Sequence, residues 1–233
     1  YEQISKFMKL YEINKDKMLL DYAREKFDKY ISQTPKYKGS YVNFNAFANN
    51  VRGEISFQVC PGLMRLGYVT GDKKYSDIAL DQCMKQNELL GETKTGFWHH
   101  GINAKEKSAS FWARGEAFVC LALQMVLELA DLADPRAKFL MKLWKQKIDS
   151  LVPLQQKNGF WCSVLDNPST EFESSGTAWI TVVLERAMRL GWLDSSFREI
   201  TEKSWKAVKS RIWQGSYPGH SVGTTVSKNY AYY

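Results

Sequence analysis

The sequence is poor in the residues that carry several common chemistries. Its 233 residues contain only three histidines and four cysteines. The cysteines (Cys60, Cys83, Cys120 and Cys162) form no Cys-x-x-Cys pair, and two stand in apolar helical context. Buried thiols are therefore expected, not a disulfide framework or a zinc site. No stretch approaches the roughly 18 uninterrupted apolar residues of a spanning helix, so no membrane insertion is expected. There is no glycine-rich phosphate loop, no Gly-x-Ser-x-Gly elbow and no His-Glu-x-x-His pair, and with them go the chemistries they serve. Six prolines and no low-complexity tract leave an ordinary globular composition.

What the chain does have is positive charge: 32 Lys and Arg against 25 Asp and Glu, a formal net charge of +7. Such a surplus favours an anionic partner, whether nucleic acid, acidic lipid or acidic polysaccharide. The lysines (Lys15, Lys17, Lys73, Lys74, Lys138 and Lys142 among them) are spread along charged helix faces and form no basic block. With no recognisable nucleic-acid module either, no nucleic-acid partner is expected.

A repeat organises the whole chain. Leu10-Tyr-Glu-Ile-Asn-Lys-Asp16 is echoed by Leu66-Gly-Tyr-Val-Thr-Gly-Asp72, then by Leu132-Ala-Asp134-Pro135 and Leu190-Gly-Trp-Leu-Asp194. The aspartates are 56, 62 and 60 residues apart. A second marker keeps step at Gly39-Ser-Tyr41, Gly96-Phe-Trp98, Gly159-Phe-Trp161 and Gly215-Ser-Tyr217. Between the markers the spacing is helical, as at Leu19, Tyr22, Ala23, Phe27 and Tyr30. Asp16, Asp72, Asp134 and Asp194 occupy helix N-cap positions, with Pro135 at a first helical position. Each unit thus reads as helix, tight turn, helix and a longer glycine-aromatic loop. One helix of each pair is more apolar, as at Gly115–Leu123 and Ser175–Val183, which predicts an inner layer, with an outer layer including residues 136–150. Eight helices are expected in four hairpins, with the inner N-termini around one mouth.

Unusual residues gather at the inner-helix starts. Glu54 and Gln58 share one face, a turn apart. A carboxylate in so apolar a helix is expected to have a pKa raised by burial, which suits a general acid. The alternative is that Glu54 pairs with Arg52 or Arg114. Pro61 is expected to interrupt the same helix. Trp112, Arg114 and Phe118 begin another inner helix, where an arginine fork can hold a carboxylate and an aromatic face can stack on a sugar. The plainer reading of Trp112 is core packing. His99 and His100 precede that helix. Neighbouring histidines project in different directions, so no metal site is expected; a hydrogen bond to substrate is the better use. His220 lies in the fourth unit's equivalent loop.

At these residues the chain resembles glycoside hydrolase family 105, the unsaturated rhamnogalacturonyl hydrolases, with the family 88 unsaturated glucuronyl hydrolases next. The resemblance runs over roughly residues 50–195. It rests on Pro61–Asp72, Gly96-Phe-Trp-His-His-Gly101, Phe111-Trp-Ala-Arg-Gly115 and Glu173-Ser-Ser-Gly-Thr-Ala178, in that order. It implies an all-α (α/α)6 toroid, with about eight of its twelve helices present in this chain. Residues 1–233 are then one (α/α) barrel domain, incomplete at the N-terminus. It also implies a glycosidase that hydrates a vinyl ether: an acid protonates C4 of a 4,5-unsaturated uronic acid and water adds at C5. By position Glu54 is the proton donor, and His100, Trp112 and Arg114 hold the substrate, with Gln58, His99 and Phe118 beside them. No cofactor or metal is implied, and the partner is an acidic oligosaccharide. Two positions depart from the family: Glu54 stands for its usual Asp, and Phe118 for its usual Trp. The competing readings are a catalytically silent carbohydrate-binding relative and a helical protein-interaction scaffold.

Overall fold

Each unit of the repeat folds as its punctuation predicts. The computed structural model describes residues 2–42, 50–103 and 106–212. Among them are eight α-helices: α1 (Glu2–Asn14), α2 (Lys17–Gln33), α3 (Glu54–Thr70), α4 (Lys73–Leu90), α5 (Ala113–Leu127), α6 (Pro135–Leu151), α7 (Ser174–Arg189) and α8 (Arg198–Lys209). Asp16, Asp72 and Asp134 cap α2, α4 and α6, each accepting the backbone N–H two residues on at 2.9, 3.0 and 2.7 Å. Asp194 does the same for a short 3-10 turn (Ser195–Phe197) that leads into α8. These caps satisfy donors that have no partner inside their own helix.

The glycine marker has a conformational cause. Gly39, Gly96 and Gly159 adopt φ of +86°, +74° and +90°, which side-chain-bearing residues rarely occupy. At Gly159 an added Cβ would also lie 2.6 Å from the Lys203 carbonyl oxygen. Gly215-Ser-Tyr217 and His220 lie outside the described residues.

Helices α1, α3, α5 and α7 pack side by side in succession, and α2, α4, α6 and α8 each back their own hairpin partner. The result is two helical layers of an (α/α) toroid. The layer assignment explains the composition. α5 is buried along almost its whole surface, whereas α6 and α8 bury one face and turn their charges outward. The four cysteines are buried free thiols. No helix among the described residues is long and apolar enough to cross a membrane.

Two expectations need correction. Helix α3 runs unbroken through Pro61; the proline forfeits one backbone hydrogen bond, but buried neighbours on both sides, Val59, Cys60, Leu63 and Met64, hold the helix together. On α2 the buried face is Ala23, Phe27 and Tyr30, and Tyr22 is exposed.

Short strands lace the loops at the N-terminal ends of the inner helices. The pair β1 (Lys36–Tyr37) and β2 (Ser40–Tyr41) closes the first return loop. The strand β3 (Val51–Arg52), just ahead of α3, pairs antiparallel with β4 (Gly101–Ile102) from the loop ahead of α5. Ahead of α7, β5 (Trp161–Cys162) pairs with β6 (Phe172–Glu173). Trp112 bridges Val164, and the Ala113 N–H donates to the Ser163 carbonyl at 2.9 Å. The starts of α3, α5 and α7 are thereby tied to one another at one end of the toroid.

Candidate active site

Glu54 is the first residue of α3, immediately after the N-cap Gly53. The Gly53 N–H donates to the His100 carbonyl at 3.2 Å, and the His100 N–H donates to the Ser110 carbonyl at 3.1 Å. This backbone lacing sets the histidine ring against the acid: His100 Nε2 lies 3.2 Å from Glu54 Oε1. The His100 side chain is fully buried, and the Glu54 side chain keeps 17% of its surface exposed. The histidine therefore holds one carboxyl oxygen, while part of the Glu54 side chain remains at the surface.

The loop that carries His100 is fixed by a buried ion pair. Glu116 on α5 accepts the Trp98 N–H at 2.6 Å through one oxygen and Lys147 Nζ of α6 at 2.9 Å through the other. Both partners of the ion pair are almost wholly buried. Burial pushes the Glu116 carboxyl up, with Lys147 and the Trp98 N–H opposing.

Trp112 links the acid to the arginine. Its ring centroid lies 4.8 Å from that of His100, and the Arg114 guanidinium carbon lies 4.2 Å above the same indole. Arg114 Nη1 donates to Glu173 Oε1 at 3.0 Å and to Ser175 Oγ at 2.9 Å. The alternative pairing of Glu54 with Arg52 or Arg114 is not what forms: the acid takes His100, and Arg114 takes Glu173. Three buried polar atoms at these helix starts have no protein partner: Glu54 Oε2, Trp112 Nε1 and Ser174 Oγ. Such atoms are costly unless something else meets them.

A second layer lies one helical turn further in. Phe57, Phe118 and Trp179 follow Glu54, Arg114 and Ser175 by three, four and four residues on α3, α5 and α7, so each shares its helix face with a site residue. Phe57 stacks on Phe118 at 5.0 Å, and Trp179 lies 6.0 Å from Phe57 and 5.7 Å from Phe118. All three are only partly buried.

The structure thus brings together Glu54, His100, Trp112 and Arg114. It places Phe118 in the layer beneath and leaves Gln58 exposed. His99 packs on Phe111 at 4.6 Å instead of on the acid. Burial and the charge of Lys107 hold its pKa below the usual histidine range. The expected rise in the Glu54 pKa is overturned. Burial does push the carboxyl up, but the hydrogen bond and charge of His100, the backbone N–H and Arg52 outweigh it and hold the group below the usual glutamate range. The apolar helix supplies the burial, the largest single effect; the histidine leads the several that together outweigh it. Glu173, Ser175, Phe57 and Trp179 were missed as site residues. Helical register from Glu54 and Arg114 could have flagged Phe57, and the motif at 173–178 already contained Glu173.

Comparison with known proteins identifies the family and the fold. The family model described as Glycosyl Hydrolase Family 88 matches residues 3–233. The unsaturated rhamnogalacturonyl hydrolase YesR of Bacillus subtilis (strain 168) is 21% identical over 230 residues, covering 94% of this chain and 65% of that protein. A crystal structure of a possible member of the GH105 family from Klebsiella pneumoniae subsp. pneumoniae MGH 78578 aligns with TM-score 0.90 and 19% identity, covering 99% of this chain and 63% of that chain. The unsaturated glucuronyl hydrolase from Bacillus sp. GL1, responsible for the degradation of glycosaminoglycan, aligns with TM-score 0.75 and 15% identity, over 95% of this chain and 67% of that chain. The chain therefore spans about two thirds of these relatives' length, and the structural likeness speaks for the fold.

Proposed function

The chain belongs to glycosyl hydrolase family 88, and on that premise we propose that it removes a 4,5-unsaturated uronic acid from short acidic oligosaccharides by vinyl-ether hydration. The observation that carries this reading is the Glu54 carboxyl at the start of α3, on a side chain that keeps part of its surface exposed, backed by buried His100 and adjoining the Trp112–Arg114 stack.

The chemistry differs from displacement at an anomeric carbon, which needs two carboxyl groups flanking the bond. Here the substrate's enol ether is the reactive group. Protonated Glu54 transfers its proton to C4, leaving an oxocarbenium centre at C5. Water bonds through oxygen to C5 and gives a proton back to the Glu54 carboxylate, so the acid is regenerated. The hemiketal opens to a ketone at C5, and the hemiacetal left at C1 expels the remaining saccharide as an alcohol. The net change is the addition of one water.

The lowered pKa of free Glu54 is compatible with this role. The substrate carries its own carboxylate, and a like charge brought beside Glu54 disfavours its ionised form, so binding itself restores the proton. His100 then orients the acid. The partly exposed rings of Phe57, Phe118 and Trp179 offer faces for sugar stacking, with buried Trp112 supporting Arg114 behind them.

The test is incubation with an oligosaccharide ending in a 4,5-unsaturated uronate. The reading expects the ultraviolet absorbance of the conjugated double bond to fall as the shortened saccharide accumulates in the mass spectrum. Binding by calorimetry without loss of absorbance would instead identify a silent carbohydrate-binding relative.

A further inference from the structure

Glu173 is the most heavily engaged carboxylate at the mouth, yet it has no exposed surface and so cannot touch a saccharide. It is the N-cap of α7, accepting the Gly176 N–H through Oε2. Oε1 accepts from Ser175 Oγ at 2.6 Å and from Arg114 Nη1 at 3.0 Å. Ser175 Oγ accepts in turn from the same Arg114 nitrogen at 2.9 Å. The three groups close a triangle whose anionic corner sits at a helix N-terminus, where the backbone favours negative charge. Gly176 is what allows the approach. A Cβ there would stand 2.7 Å from Glu173 Oε2 and 2.9 Å from the Arg114 backbone nitrogen. The starts of α5 and α7 therefore meet nearly backbone to backbone.

We infer that Glu173 is a positioning residue: through its ion pair it holds the Arg114 guanidinium over Trp112, the indole that also meets His100. A long arginine side chain at a partly open mouth has many rotamers, and holding a substrate-binding group in one of them before substrate arrives lowers the entropic cost of binding and reaction. The clamp also compensates the arginine's charge, so Arg114 acts as an oriented donor and stacking partner and not as a bare cation. This inference rests on the proposed hydration reaction for its kinetic consequence, but the clamp has a readout of its own.

The test is Glu173→Gln, which keeps the volume and an oxygen to cap α7 but removes the carboxylate. An intact thermal transition would show that the variant folds. With an unsaturated disaccharide, kcat/KM is expected to fall on the order of 10- to 100-fold through misplaced Arg114. In an Arg114→Gln background the same change is expected to have no further effect. Equal factors in both backgrounds, or no effect in either, would overturn the inference and leave Glu173 as a helix cap alone. Nuclear magnetic resonance of 15N-labelled arginine supplies the independent readout. The side-chain signal lost in Arg114→Gln should exchange slowly in the wild type and rapidly in Glu173→Gln. Slow exchange in both, or rapid exchange in the wild type, would contradict the clamp, whereas slow exchange in a wild type without turnover, lost in Glu173→Gln, would sink only the hydrolase reading.

Discussion

His100 Nε2 stands 3.2 Å from Glu54 Oε1, and that contact opposes the effect of burial on the acid. Burial pushes the carboxyl up; the hydrogen bond and charge of the histidine lead the effects that bring it down. Replacing His100 by alanine removes the leading part of the lowering and leaves the backbone hydrogen bond and Arg52, so the Glu54 pKa is expected to rise. Since Glu54 has to be protonated to act, kcat/KM declines as pH climbs through its pKa. In His100→Ala this decline should move to higher pH. A pH profile of kcat/KM for both proteins checks the direction.

The aromatic layer makes a separate prediction. Trp179 is partly exposed and touches both Phe57 and Phe118. Trp179→Leu should raise KM about tenfold, on the order of 1.4 kcal/mol of lost stacking, with a smaller change in kcat. Steady-state kinetics with a disaccharide would show the split.

The Lys147–Glu116 pair is expected to matter for stability. Lys147→Met strands a buried carboxylate and should cost about 3–5 kcal/mol, whereas the double variant with Glu116→Leu should recover a large part of it. Denaturant unfolding of the two proteins measures both. Catalytic loss beyond the unfolded fraction would show that the Trp98 anchor also holds His100 in place.

Asp134 offers a test of the repeat's punctuation. It caps α6 and binds Arg136, whose hydrogen bond leads the effects that hold its carboxyl below the usual aspartate range. A lowered folded-state pKa contributes stability that is present above the ordinary aspartate value and is lost as pH falls through the lowered one. Asp134→Ala should cost about 1 kcal/mol near neutral pH. The difference from wild type should shrink in acid, as thermal melts across pH would reveal.

Much of the fold could be read from the residues because its determinants are local. A capping aspartate, a glycine with positive φ and a 3.6-residue apolar spacing each act within a turn, and together they placed eight helices in two layers. The family resemblance was legible for the same reason, being carried by four short motifs in order. The site was only partly legible. Glu54, His100, Trp112 and Arg114 do converge, but the partner of Arg114 is a carboxylate 59 residues away, reached only once α5 and α7 lie side by side. The apolar context of Glu54 announced burial and could not announce a histidine 46 residues on. Pro61 misled because the packing around it outweighs one lost hydrogen bond.

The central proposition is that a single carboxyl at the start of α3 delivers the proton. The most direct measurement is the rate of ultraviolet bleaching of an unsaturated disaccharide by the wild type and by Glu54→Gln. The glutamine has no acidic proton, so the rate should fall by on the order of 10²- to 10⁴-fold while thermal stability stays near that of the wild type. Equal bleaching by the two proteins would contradict the assignment and require a different acid.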